Sequence, residues 1–174
     1  MLIDDFMPKY DFAETHGIKI SASVENIFMA LNEADLCESW IIRGLFFLRG
    51  LPTEKMTLKD MRSIRFETLG KTVNKEILLG LAGKFWTIKG QLQKVNSNNF
   101  IGFNKKSFAK AVWSFSINGD GNENHLATET RIQCLDDESL KSFGFYWRLI
   151  KPFSGLIRNE MLKTVKKKAE AARN

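Results

Sequence analysis

The residues Phe143, Trp147, Ile150, Ser154, Ile157, Met161 and Val165 recur at steps of three or four, the spacing of one buried helix face. A helix from Glu138 to Glu170 is about 50 Å long at 1.5 Å per residue. A compact body built from 174 residues has a radius of gyration near ~16 Å, so it is roughly 40 Å across. The helix is as long as the molecule and must lie across it. Pro152 removes one backbone donor inside this pattern, and Ser154-Gly155 lowers helix propensity just beyond. A kink is therefore predicted between Lys151 and Leu156.

The chain ahead of that helix changes period. Thr15 to Ala22 alternates loosely and predicts a first strand. Ser23 is placed to cap a helix carrying Val24, Ile27, Phe28 and Leu31. A second helix is predicted from about Leu36 to Leu48, stopped by Gly50 and Pro52. Period-two segments follow at Arg62–Leu69, Glu76–Ala82, Trp86–Leu92, a short Phe100–Phe103, and Ala109–Ile117. The Asn118-Gly119-Asp120-Gly121 turn then leads into His125–Leu135. Short turns between strands mean an antiparallel sheet, with one face wetter than the other. So few helices cannot cover both faces of a sheet. The economical packing is α+β: a curved antiparallel sheet wrapped around the long C-terminal helix, with two short helices after the first strand. A curved sheet and a helix diverge somewhere, and the wedge between them is a natural cavity.

Four stretches, Leu79 to Trp86, Ala109 to Trp113, Thr128 to Arg131 and Phe145 to Arg158, resemble the START-like helix-grip superfamily (SRPBCC; polyketide cyclase/dehydrase and lipid-transfer group), within it an uncharacterised bacterial subgroup. The resemblance spans about Asp11 to Glu170 and implies one domain over residues 1–174 with a ligand cavity. It implies no particular chemistry, because that superfamily holds carriers, sensors and enzymes alike.

Composition narrows the classes. No apolar run reaches the ~18 residues of a membrane span; the densest, Trp40 to Leu51, is broken by Arg43 and Arg49. The acidic first fifteen residues do not resemble a secretory signal, and two cysteines, Cys37 and Cys134, suit a reducing compartment. A cytoplasmic protein is expected. Residues 163–174 carry +4 of the net charge of +6. Cations at a helix C-terminus complement its dipole, so this is read as a solvated helix end, without nucleic acid and with membrane contact at most peripheral.

No recognised catalytic or cofactor motif is found. His16, His125, Cys37 and Cys134 share no metal-ligand spacing. Gly83-Lys84 lacks both the earlier glycine and the following Ser or Thr of a phosphate loop, and no nucleophile elbow occurs. No metal, cofactor or catalytic residue is expected, and both histidines are expected in loops bordering strands.

The aromatics are more informative: 14 Phe, 4 Trp and 2 Tyr, many on the sheet face and helix stripe that should meet. Trp86, Trp113, Phe115, Tyr146, Trp147 and Ile150 are the candidate lining of an apolar pocket, against the plain alternative that they only form core. Trp40, Ile41, Phe46 and Phe47 are expected to form its lid. Glu129 and Arg131 lie two apart on one strand, hence on one face. With Leu126, Thr128, Thr130 and Ile132 inward they make a surface ion pair. With the register or a bulge turning them inward, they become the polar end of the cavity, where an arginine fork fixes a carboxylate or phosphate. The function expected is binding of a small hydrophobic molecule, lipid-like, polyketide-like or aromatic, in a carrier or sensor role. The alternative is a cyclase- or dehydratase-type enzyme drawing acid-base groups from Glu76, Glu129, Arg131 and Tyr146.

Overall fold

The computed structural model describes residues 1–48, 53–87, 89–119, 121 and 123–172, without the side chains of Leu45, Phe46, Leu48 and Arg62. The elements run α1 (Leu2–Phe6), β1 (Phe12–Ile20), α2 (Val24–Glu33), α3 (Trp40–Leu48), β2 (Glu67–Thr72), β3 (Glu76–Gly83), β4 (Ala109–Asn118), β5 (Asn124–Cys134) and α4 (Asp137–Ala171). Short 3-10 turns cover Leu36–Glu38 and Asp60–Ile64. The expected terminator of α3 at Gly50 and Pro52, and Ile88 of the expected Trp86–Leu92 strand, lie outside the described residues.

All pairings are antiparallel in one curved, open five-stranded sheet of order β1-β5-β4-β3-β2. The register sets rows across it: Glu14 stands opposite Thr130, Thr130 opposite Trp113, and Trp113 opposite Leu79. Side chains alternate along each strand, so this whole row faces one side, and the neighbouring row Ala13, Arg131 and Val112 faces the other. α4 lies across the first face, against β1 and β5, with its C-terminal half against α2. This is the α+β helix-grip arrangement expected from the sequence.

Ser23 caps α2 by accepting from the Asn26 amide at 3.3 Å. Asp136 caps α4 in a reciprocal box with Ser139, and Ser107 also donates its amide to Asp136 at 2.6 Å. Hydrogen bonds from Ser139 and Ser107 hold the Asp136 carboxyl below the usual range.

Several expectations need correction. Arg62–Leu69 is not a continuous strand: Arg65 has φ of 69°, a left-handed backbone that cannot continue a ladder, so β2 starts at Glu67. Trp86–Leu92 fails for the same reason at Gly90 and Gln91 (φ 64° and 42°), leaving a single bridge between Ala82 and Gln93. Phe100–Phe103 forms turns.

The second face is not wet over the middle strands. Ile3 and Met7, four residues apart around α1, cover Leu78, Ala82 and Val112 together with Val95 and Phe100. Lys110, Ser114 and Ser116 are buried as a result. The Lys110 ammonium donates to the Ile101 carbonyl at 3.1 Å, and burial pulls its pKa down.

Finally, α4 runs unbroken from Asp137 to Ala171, and no residue between Lys151 and Leu156 leaves the helical state. Pro152 is on the exposed side, where water can satisfy the carbonyl that loses its donor. Residues on either side of it hold the helix to the sheet.

Three of the four lysines of the last turns are engaged: Lys163 with Glu160, Lys166 with Glu170 and Lys168 with Glu33, while Lys167 is exposed. No described helix is long and apolar enough to cross a membrane.

The wedge between sheet and C-terminal helix

α4 meets the sheet closely at its C-terminal half, where Met161, Leu162, Val165 and Ala169 join Ile27, Leu31, Phe115 and Leu126 in the main core. Toward its N-terminal half the two surfaces part, and a cavity of about 530 Å³ opens between them. Leu81, Ala111, Trp113, Thr130 and Ile132 of the sheet form its floor. The helix contributes Phe143, Tyr146, Trp147, Ile150, Phe153, Ser154, Ile157 and Arg158, and the rim is closed by Met61, Ile64 and Phe66 on one side and Phe85 and Leu92 on the other. The volume lies within the ~300–1,000 Å³ of small-molecule sites.

The aromatic wall is held by ring contacts. Trp113 tilts against Phe115 (centroids 5.0 Å apart) and meets Phe66 edge-on at 6.0 Å. Its indole N–H donates to Thr128 Oγ1 at 2.7 Å, and Thr128 donates on to the Ser114 carbonyl. Phe143 stacks on Trp147 and is met edge-on by Phe12, Phe85 and Trp86.

Of the expected lining, Trp113, Tyr146, Trp147 and Ile150 do face the cavity. Trp86 stands one layer back, behind Phe85 and Phe143. Phe115 is fully buried in the core one row below. No described side chain of α3 lines the cavity: Trp40 and Phe47 are 76% and 75% exposed, and the side chain of Phe46 is outside the described residues. The 3-10 turn carrying Met61 and Ile64 takes the place expected of the α3 lid.

Glu129 and Arg131 fit neither of the two expected outcomes. Thr128, Thr130 and Ile132 point inward, which puts the pair on the opposite face. That face is covered there, and Arg131 is 9% exposed. Its guanidinium binds Glu129 at 2.6 Å, Asp4 at 2.9 Å and the Met7 carbonyl at 3.1 Å, and lies over the Tyr10 ring. It is the latch of α1. The Arg131 guanidinium also holds the Asp4 carboxyl below its usual range.

The polar end of the cavity is elsewhere and was not singled out from the sequence. Arg158 enters from α4 over the face of Trp113, its guanidinium 5.2 Å from the ring centroid. Nε and Nη2 donate to Thr130 Oγ1 at 3.2 and 2.6 Å, and Nη1 donates to the carbonyl and hydroxyl oxygens of Ser154. Ser154 Oγ donates to Glu14 Oε2 at 3.0 Å, and Glu14 Oε1 is 2.8 Å from His16 Nε2. Burial pushes the Arg158 pKa down to about 10, against an opposing pull from Glu14. His16 is thus an interior strand residue of β1 and not a loop residue; His125 is also within a strand, β5, though exposed. The sequence carried one usable signal: Arg158 lies four residues after Ser154 of the inward stripe, one helical turn on, and Glu14 and His16 lie two apart, hence on one face of the first strand.

Burial raises the Cys37 thiol, and burial with Asp11 and Asp136 nearby pushes Cys134 up to about 12. Among the described residues no three His, Cys, Asp or Glu side chains gather to hold a metal.

No family model matches the chain, and no curated protein matches it either. Among solved structures it is similar to a conserved protein from Geobacillus kaustophilus, with 9% identity, a TM-score of 0.51, and 92% of this chain and 97% of that one covered. It also matches a protein from Thermus thermophilus, TTHA0849 (7% identity, TM-score 0.38, 94% and 100% covered), and CalU16 from Micromonospora echinospora (11%, 0.34, 91% and 84%). The first of these likenesses supports the sheet-and-long-helix fold and nothing finer.

Proposed function

We propose that the protein binds a small apolar molecule in the wedge between its sheet and α4, as a cytoplasmic carrier or sensor of the START-like helix-grip kind. The observation that carries this reading is the cavity itself: about 530 Å³, walled by Trp113, Phe143, Tyr146, Trp147 and aliphatic side chains. Leaving such a surface against water in an empty protein is unfavourable, and an apolar ligand relieves it at roughly 25 cal/mol per Å² removed from water. The basic helix end, with Lys163, Lys166 and Lys168 paired to carboxylates, supports a role without nucleic acid and with at most peripheral membrane contact. Native mass spectrometry of the protein with a panel of fatty acids, polyketides and quinones tests the reading. Uptake of one class at a stoichiometry of about one supports it; uptake of none sinks it.

A cyclase- or dehydratase-type enzyme is the second reading. Of Glu76, Glu129, Arg131 and Tyr146, only Tyr146 lines the cavity; Glu76 instead accepts from the Leu2 amide on the far face. What favours an enzyme is the Ser154–Glu14–His16 chain behind the cavity wall, a potential proton path. Incubation with a bound polyketide, followed by mass analysis of the released compound, separates the two: an unchanged ligand supports the carrier.

A further inference from the structure

Resting on the reading of the wedge as a binding cavity, the geometry points to an apolar carboxylic acid as its occupant, with the carboxylate held by Arg158 and the Thr130 hydroxyl. The argument starts from an imbalance of charge. Arg158 has no carboxylate within 4 Å among the described residues, whereas Arg131, its counterpart on the other face, has two. Interior charges are ordinarily paired. The nearest negative group, Glu14, is one hydroxyl removed: its two oxygens are taken by Ser154 and His16.

Donor counting places the missing partner in the cavity. Bonds to Thr130 and Ser154 use four of the five guanidinium N–H groups, leaving one on Nη2. Thr130 Oγ1 accepts from Arg158 and has no described acceptor for its own hydrogen. Both residues line the cavity, with Trp113 beneath the guanidinium. Two adjacent donors, one charged, suit the two oxygens of one carboxylate. A phosphate brings a second negative charge and a third oxygen, for which the described residues at this end offer no further charged donor. The rest of the wall is aromatic and aliphatic, which calls for an apolar body on the acid.

The indoles of Trp113 and Trp147 line the cavity and report occupancy by their fluorescence. Titrations of the protein with decanoate, 1-decanol and decyl phosphate at neutral pH decide the matter. A cavity that reads only the chain prefers the alcohol, because the carboxylate must be desolvated. The expected result is decanoate bound about tenfold or more tighter than decanol, the worth of a charge-assisted hydrogen bond. Arg158→Met should lose that preference while still binding decanol, and Arg158→Lys should retain part of it. Equal or better binding of decanol to the unaltered protein overturns the acid while leaving the apolar cavity standing. Tighter binding of decyl phosphate overturns the carboxylate. Absence of any binding removes the cavity reading and this one with it. The comparison among the three ligands needs no variant, so a misfolded Arg158→Met leaves the test intact.

Discussion

Thr130 on β5 accepts two hydrogen bonds from Arg158 on α4, at 3.2 and 2.6 Å, and so ties helix to sheet across the floor of the cavity. With the charge still present, Thr130→Val takes away the acceptor for Nε and Nη2 and leaves them facing an apolar surface. Equilibrium urea unfolding should show a loss of about 1–3 kcal/mol. A loss under ~0.5 kcal/mol would mean that the tie is not formed in solution.

Arg158 itself should weaken the empty protein. Its folded pKa, about 10, lies below the ordinary guanidinium value above ~12. Below pH 10 both folded and unfolded chains carry the proton, so the full cost of burying the charge is present at neutral pH. Between pH 10 and ~12 the folded chain releases the proton first, so stability from this group rises with pH. Arg158→Met should therefore be more stable than the parent at pH 7, by about 1 kcal/mol or more. The difference should shrink as pH climbs past 10. Unfolding curves of the two proteins from about pH 7 to 11 check the sign, and a gap that widens with pH contradicts it.

Two glycines of α4 should respond oppositely to the same substitution. At Gly144 an added methyl meets nothing nearer than Phe12 Cζ at 3.5 Å, an ordinary contact. Gly144→Ala should then stabilise by about 0.5–1 kcal/mol through helix propensity. At Gly155 the same methyl falls 2.9 Å from Glu14 Oε1, which Ser154 and His16 hold in place. Gly155→Ala should forfeit its propensity gain and come out neutral or destabilised, and thermal melts of the pair measure the contrast.

Arg131→Ala tests the assignment of that residue to α1 and not to the ligand. It removes the bonds to Asp4 and to the Met7 carbonyl. Limited proteolysis should cut within the first ten residues faster than in the parent, while decanoate affinity stays within about twofold. A large loss of affinity with α1 still protected would return Arg131 to the cavity.

The thiols should be silent. Cys134 is pushed up to about 12 and Cys37 is raised by burial, so neither supplies much thiolate at about pH 8. Ellman titration should find little reaction in the native protein and two thiols in denaturant. Rapid native labelling of either would show that its surroundings open.

The repeat of Phe143, Trp147, Ile150, Ser154, Ile157, Met161 and Val165 determined, by itself, one helix longer than the body is wide, and the turn-separated strands determined an antiparallel sheet to receive it. Together they required a wedge, and four of its lining residues, Trp113, Tyr146, Trp147 and Ile150, follow from which faces must meet. That much is legible because period and length are local properties of the chain. The strands expected at Arg62–Leu69 and Trp86–Leu92 were lost to left-handed backbone at Arg65, Gly90 and Gln91, which hydrophobic alternation does not register. Which arginine serves the cavity was decided only in three dimensions. The alternation of β5 could say that Glu129 and Arg131 share a face, but α1 decided that this face is covered. Pairing of Glu14 opposite Thr130, and the reach of Arg158 from α4, 28 residues beyond Thr130, brought the polar end together. Charges far apart in sequence acquire a common site only when register and helix rotation are settled, and those depend on packing of the whole core.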